Sequence, residues 1–141
     1  MNKIAIVYWS GTGNTEAMAK FVAAGAASAG GTVELFTPSE FSEDKVAAYD
    51  AIAFGCPSMG SEQLEDSKFE PMFDTVKAAL GGKRIGLFGS YGWGDGEWMR
   101  NWAEDCAAQG CILAAEPVTC MDAPDPDAVQ ACRGLGETLA N

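Results

Sequence analysis

The stretch "KIAIVYWSGTGNTEAMAKFVAAGAASAGG", Lys3 to Gly31, sets an apolar run, a loop of glycines and hydroxyls and a helix-spaced segment in immediate succession. Lys3 to Trp9 is continuously apolar rather than alternating, the mark of a strand buried on both faces. Beyond the loop, Met18, Phe21, Val22, Gly25, Ala26 and Ala29 recur at helical spacing, with Glu16 and Lys20 facing away. Gly30 and Gly31 supply the helix stop.

The same alternation runs on through the chain. Four further short apolar runs read as strands: Thr32 to Thr37, Ala51 to Gly55, Arg84 to Ser90 and Ile112 to Val118. A second helix is expected on Phe69, Met72, Phe73, Val76, Ala79 and Leu80, opened by "SKFE", Ser67 to Glu70, at capping-box spacing. Trp98, Met99, Trp102, Ala103, Cys106 and Ala107 outline a third. Val129, Cys132, Leu135 and Leu139 outline a fourth, with Asp125 and Pro126 suited to its N-cap and first position. Phe41 to Ala48 is acidic and only weakly helical. Buried strands alternating with amphipathic helices predict an α/β fold, a doubly wound five-stranded parallel sheet.

The 141 residues, 48% of them apolar, suit one domain spanning 1–141. No apolar run reaches the roughly 18 residues of a membrane span, and the first strand begins without a signal-peptide pattern, so a cytoplasmic protein without a membrane partner is expected. Five cysteines with no C-x-x-C pair and no histidine argue against zinc and iron–sulfur sites and for reduced thiols. Nine Lys and Arg against 20 Asp and Glu give a net charge of −11, which repels nucleic acid and favours basic partners. Without histidine, an enzyme would have to work through carboxylates or a cofactor.

In such sheets ligands sit outside the carboxyl ends of the strands, where the winding reverses. After the first strand comes "SGTGNT", Ser10 to Thr15. Its hydroxyls, the Asn14 amide and the helix N-terminus can converge on an anion, while Gly11 and Gly13 let the backbone close around it. A Walker A loop needs lysine where Asn14 stands, and a dinucleotide loop needs a third small residue where Glu16 stands. What remains is a monophosphate held by neutral donors, or a helix cap without ligand. After the third strand comes "GCPSMGSEQLED", Gly55 to Asp66, where Met59 beside Gly60 either covers a ligand or tucks into the core. After the fourth comes "GSYGWGDGEW", Gly89 to Trp98, whose Tyr91 and Trp93 on a glycine-rich loop look like a stacking platform for a flat ring. Trp98 begins the core face of the next helix.

Together, "SGTGNTE", "GC-x-x-MG-x-E" and "GSYGWG-x-G-x-W" resemble the loops of short-chain flavodoxins of anaerobic bacteria, over essentially the whole chain. Flavodoxin is itself a type example of the switch-point rule just used. The resemblance implies a three-layer α/β/α fold with strand order 2-1-3-4-5 and tightly, non-covalently bound flavin mononucleotide (FMN). It places Ser10, Thr12, Asn14 and Thr15 on the phosphate, with the Gly11 and Gly13 main chain around it. Met59 and Trp93 take the two faces of the ring, and Ser58 and Gly60 belong to the loop that carries Met59. Main chain from Ser90 through Tyr91, Gly92 and Trp93 to Gly94 takes the pyrimidine edge, Glu62 takes N3–H, and Asp122 lies toward the ribityl chain. The implied function is a low-potential electron carrier, not an enzyme. It would cycle mainly between neutral semiquinone and anionic hydroquinone, act as a monomer, and serve basic-faced redox partner proteins transiently. The alternative is an FMN-dependent reductase of quinone or a similar acceptor, which turnover of NAD(P)H by the purified protein would distinguish.

Overall fold

The computed structural model describes residues 2–59, 63–92 and 94–141. In chain order β1 (Lys3–Tyr8) leads into α1 (Asn14–Ser28) and β2 (Thr32–Phe36), and short 3₁₀ turns at Pro38–Glu40 and Glu43–Ala48 connect to β3 (Ala51–Gly55). Then come α2 (Phe69–Val76), tightened into a 3₁₀ turn at Lys77–Ala79, β4 (Arg84–Tyr91), α3 (Glu97–Ala108), β5 (Ile112–Leu113), β6 (Val118–Met121) and α4 (Pro126–Ala140). All pairings are parallel and the order is β2-β1-β3-β4-β5, with β6 also on β4. The continuous apolar runs are explained by two covered faces. Ala5, Val7, Ile52, Phe54, Ile85 and Leu87 pack toward α2, α3 and the 3₁₀ turns. Ile4, Ile6, Ala51, Ala53 and Phe88 pack toward α1 and α4.

The expected strand Ile112 to Val118 is not one strand. Leu113 pairs with Ile85 and Val118 with Phe88, so the chain uses five residues where β4 uses three. Pro117 has no N–H to give the ladder; after Ala114 N–H donates to Ile85 carbonyl at 2.9 Å, the segment 115–117 lies outside it. The last strand then continues to Met121, carrying the chain to the carboxyl end of the sheet.

The capping box expected at Ser67 also does not form. Lys68 is the N-cap of α2, with no side-chain cap bond of its own. Instead the Glu65 carboxylate, 5% exposed, accepts the backbone N–H groups of Ser67 (2.9 Å), Lys68 (2.8 Å) and Phe69 (2.8 Å) and the Ser67 hydroxyl. The Asp125 cap of α4 forms as expected, its Oδ1 accepting from Ala128 N–H at 2.8 Å.

On the other face α1 and α4 cross at glycines. A Cβ at Gly25 would stand 2.0 Å from the Arg133 carbonyl oxygen, and one at Gly136 2.0 Å from that of Val22. This contact holds α1 against the sheet and fixes where its N-terminus opens.

Candidate functional site

The loop from β1 to α1 is held from within. Ser10 Oγ accepts the N–H groups of Gly13 (3.1 Å) and Glu16 (3.2 Å), and Gly13 takes φ 99°, a conformation open to glycine at little cost. Ala17 N–H bonds to Gly13 carbonyl at 3.0 Å, starting the helical ladder. Among the described residues, the N–H groups of Thr12, Asn14 and Thr15 meet no acceptor. Thr15 is only 1% exposed, so its orphan amide is shielded from bulk water. Unfilled donors at the positive end of a 15-residue helix are suited to an anion.

The other two loops are tied to each other. Ser58 N–H donates to Ser90 carbonyl at 3.0 Å, and Ser90 N–H to Thr15 Oγ1 at 3.4 Å, linking all three loops through Ser90. Ser90 Oγ donates to Asp122 carbonyl at 2.7 Å, and Asp122 N–H to Tyr91 carbonyl at 2.8 Å. Asp122 is held at φ 58°, the sole described non-glycine residue in the left-handed region. Reciprocal main-chain bonds join Met59 and Gln63 (2.8 and 3.0 Å). Beneath it the Cys56 carbonyl accepts from Trp98 Nε1 at 3.1 Å, and burial pushes the Cys56 thiol up to about 12.

These ties leave a cleft of about 200 Å³ lined by Trp9, Gly11, Thr12, Asn14, Pro57, Ser58, Met59, Ser90, Tyr91, Gly92 and Asp122. Met59 is 37% exposed, apolar surface at the rim rather than core. A second cleft of about 570 Å³ adjoins it, sharing Trp9, Gly11 and Thr12 and adding Ser10, Gly13, Glu16 and Lys68. The expected residues Ser10, Gly11, Thr12, Gly13, Asn14, Ser58, Met59, Ser90, Tyr91, Gly92 and Asp122 thus converge on one end of the sheet, with Thr15 buried beneath them. Gly94, at φ 87°, lines neither cleft. Gly60, Glu62 and Trp93 lie outside the described residues. Trp9, Pro57 and Lys68 were not expected here. The signal available for Trp9 was an aromatic residue directly before the loop at a strand's carboxyl end.

The flavodoxin family model matches residues 6–136. The chain belongs to the flavodoxin family. It is 47% identical to the flavodoxin of Megasphaera elsdenii over 97% of this chain and 98% of that one, and 43% identical to that of Clostridium beijerinckii over 96% and 98%. A solution structure of two-electron reduced Megasphaera elsdenii flavodoxin superposes with TM-score 0.87 over 97% of this chain and 98% of that chain. Flavodoxins bind FMN and carry electrons between redox partner proteins, and this chain is an FMN-binding electron carrier rather than an enzyme. The residues present fit that cofactor: acceptor-free amides at a helix N-terminus are suited to a phosphate, and an apolar slot walled by Met59, Tyr91 and Trp9 opens beside them. No helix among the described residues is long and apolar enough to cross a membrane.

Proposed function

We propose that FMN occupies the cleft between the three loops, with its phosphate on Ser10, Gly11, Thr12, Gly13, Asn14 and Thr15 and its ring toward Ser58, Met59, Ser90, Tyr91, Gly92 and Asp122. Gly60, Glu62, Trp93 and Gly94 complete the set on the strength of the sequence motifs alone. The supporting observation is the set of acceptor-free N–H groups at the start of α1, opening beside an apolar slot. All 141 residues act as this one FMN-binding domain, a monomer of the cytoplasm, in keeping with five free thiols and a net charge of −11.

The flavin supplies the electron chemistry; the protein sets how easily each electron is accepted. The acidic chain disfavours the negative charge that comes with full reduction. A carboxylate about 5 Å from that charge costs roughly 3 kcal/mol at an effective dielectric of about 20. Each ~1.4 kcal/mol against a one-electron product lowers its potential by about 59 mV. The chain therefore works at low potential, mainly between the half-reduced neutral and fully reduced anionic flavin, and meets partners through basic faces that match its acidity.

The test is purification followed by visible absorption, FMN stoichiometry and a redox titration. A yellow protein with one FMN, two separated one-electron steps and no NAD(P)H turnover is expected. A colourless protein that does not take up FMN overturns the site.

A further inference from the structure

The phosphate loop contains no cation, yet Lys68 at the N-cap of α2 lines the same cleft as Ser10, Gly11, Thr12 and Gly13. Most of the chain's nine cations are committed elsewhere. Lys3, Lys45 and Arg133 lie over the rings of Tyr49, Phe36 and Phe21. Lys77 pairs with Asp74 and Asp105, and Arg100 with Asp95. Lys83 donates to Tyr49 carbonyl, and Arg84 to the last carbonyls of the chain. Among the described residues, only the side chains of Lys20, exposed on α1, and Lys68 have no partner of any of these kinds, acidic, aromatic or carbonyl. Among the described residues Glu16 is the one carboxylate lining the cleft, and it accepts from Tyr8 Oη at 3.4 Å.

We infer that Lys68 supplies, from a different segment of the chain, the positive charge toward the FMN phosphate that the loop lacks, and so helps discriminate FMN from unphosphorylated flavin. This rests on the FMN reading above. A phosphate monoester is close to a dianion at neutral pH. Glu16 shares its cleft and repels it, and the orphan amides of α1 contribute only partial charge. An ammonium on the opposite wall offsets Glu16 without occupying the loop, and the loop keeps the tight Gly11–Gly13 turn that a lysine stem would crowd. Glu65 accepts the Lys68 N–H at 2.8 Å, which fixes the main chain from which the side chain leaves beside the cleft.

The experiment measures FMN and riboflavin affinity of the full-length wild type, Lys68→Gln and Lys68→Arg, by flavin fluorescence from about 0.01 M to about 1 M salt. The Debye length falls over that range from about 30 Å to about 3 Å. An exposed charge pair predicts an FMN affinity about two- to fivefold weaker in Lys68→Gln at low salt. The difference closes at high salt, Lys68→Arg keeps wild-type affinity, and riboflavin binds all three alike. Equal FMN affinity at low salt, an equal loss for riboflavin, or a loss that persists at high salt each overturns the inference. Failure of the wild type to bind FMN at all would instead overturn the site itself.

Discussion

Replacing Glu65 by alanine tests what starts α2 and, with it, what positions Lys68 and the loop after β3. Three backbone N–H groups and one hydroxyl donate to this nearly buried carboxylate. On its loss the Ser67 groups and the Lys68 N–H can turn to water, since both residues are exposed, but the Phe69 N–H belongs to a residue with no exposed surface. A buried donor left unpaired costs about 1–3 kcal/mol, and loss of a helix cap about 0.5–2 kcal/mol. The two overlap, so Glu65→Ala is expected to lose about 1–4 kcal/mol, and Glu65→Gln, which keeps one acceptor, less than that. Urea denaturation of the FMN-loaded protein at fixed flavin concentration reads the difference once the FMN affinity of each variant is measured and its linkage contribution subtracted. Burial alone would raise the Glu65 carboxyl, but the hydrogen bonds from Ser67, Phe69 and Lys68 outweigh it and hold it below the ordinary value. A depressed folded value means the carboxylate's contribution is complete above the unfolded value near ~4.3 and is lost as pH falls through the folded one. The gap between wild type and Glu65→Gln should stay flat from neutrality to about pH 5 and narrow only below that. A loss under about 1 kcal/mol in Glu65→Ala would refute the account of Glu65 as the cap.

Gly136→Ala should destabilise the protein by about 1–3 kcal/mol in the same assay, because its methyl would drive α4 off α1 at the Val22 carbonyl. Gly134→Ala, where a Cβ meets nothing within 4 Å, should stabilise α4 by roughly 0.5–1 kcal/mol; equal effects at the two positions would contradict the crossing geometry. Burial pushes the Cys56 and Cys132 thiols up to about 12 and raises Cys106, Cys111 and Cys120, so native protein at pH 8 should alkylate slowly and first at Cys111, the one cysteine that is not buried. Fast labelling of Cys56 by mass spectrometry would contradict it. Arg84→Met should cost about 1–2 kcal/mol on urea denaturation, since the guanidinium donates to the carbonyls of Thr138 (2.8 Å) and Asn141 (3.0 Å) at the negative end of α4; no loss would leave that helix end independent of it.

What the sequence made legible was whatever one segment decides alone. Lys3 to Trp9 had to be a strand covered twice because it never alternates, and "SGTGNT" had to open a helix because its hydroxyls and glycines serve little else. Elements that depend on a distant partner were not legible. "ILAAEPV" reads as one apolar run, and only its register against β4 shows that Pro117 and its neighbours drop out of the ladder. Glu65 sits in "SEQLEDSK", a charge-rich stretch, and its burial depends on donors that appear only once the chain turns into α2. Gly134 and Gly136 look alike in "CRGLGETL", though one faces open space and the other the α1 backbone. Lys68 belongs to the same class. Local reading correctly found no cation in the phosphate loop, but a charge need not be local to act: the cleft is assembled from segments near residues 10, 38 and 68, and the fold is what sets that lysine against the loop. With FMN placed as proposed, an acidic carrier would gain from this arrangement, because a cation on the phosphate side offsets Glu16, while a ring lying toward Met59 and Tyr91 would stay in the negative field that makes its full reduction difficult.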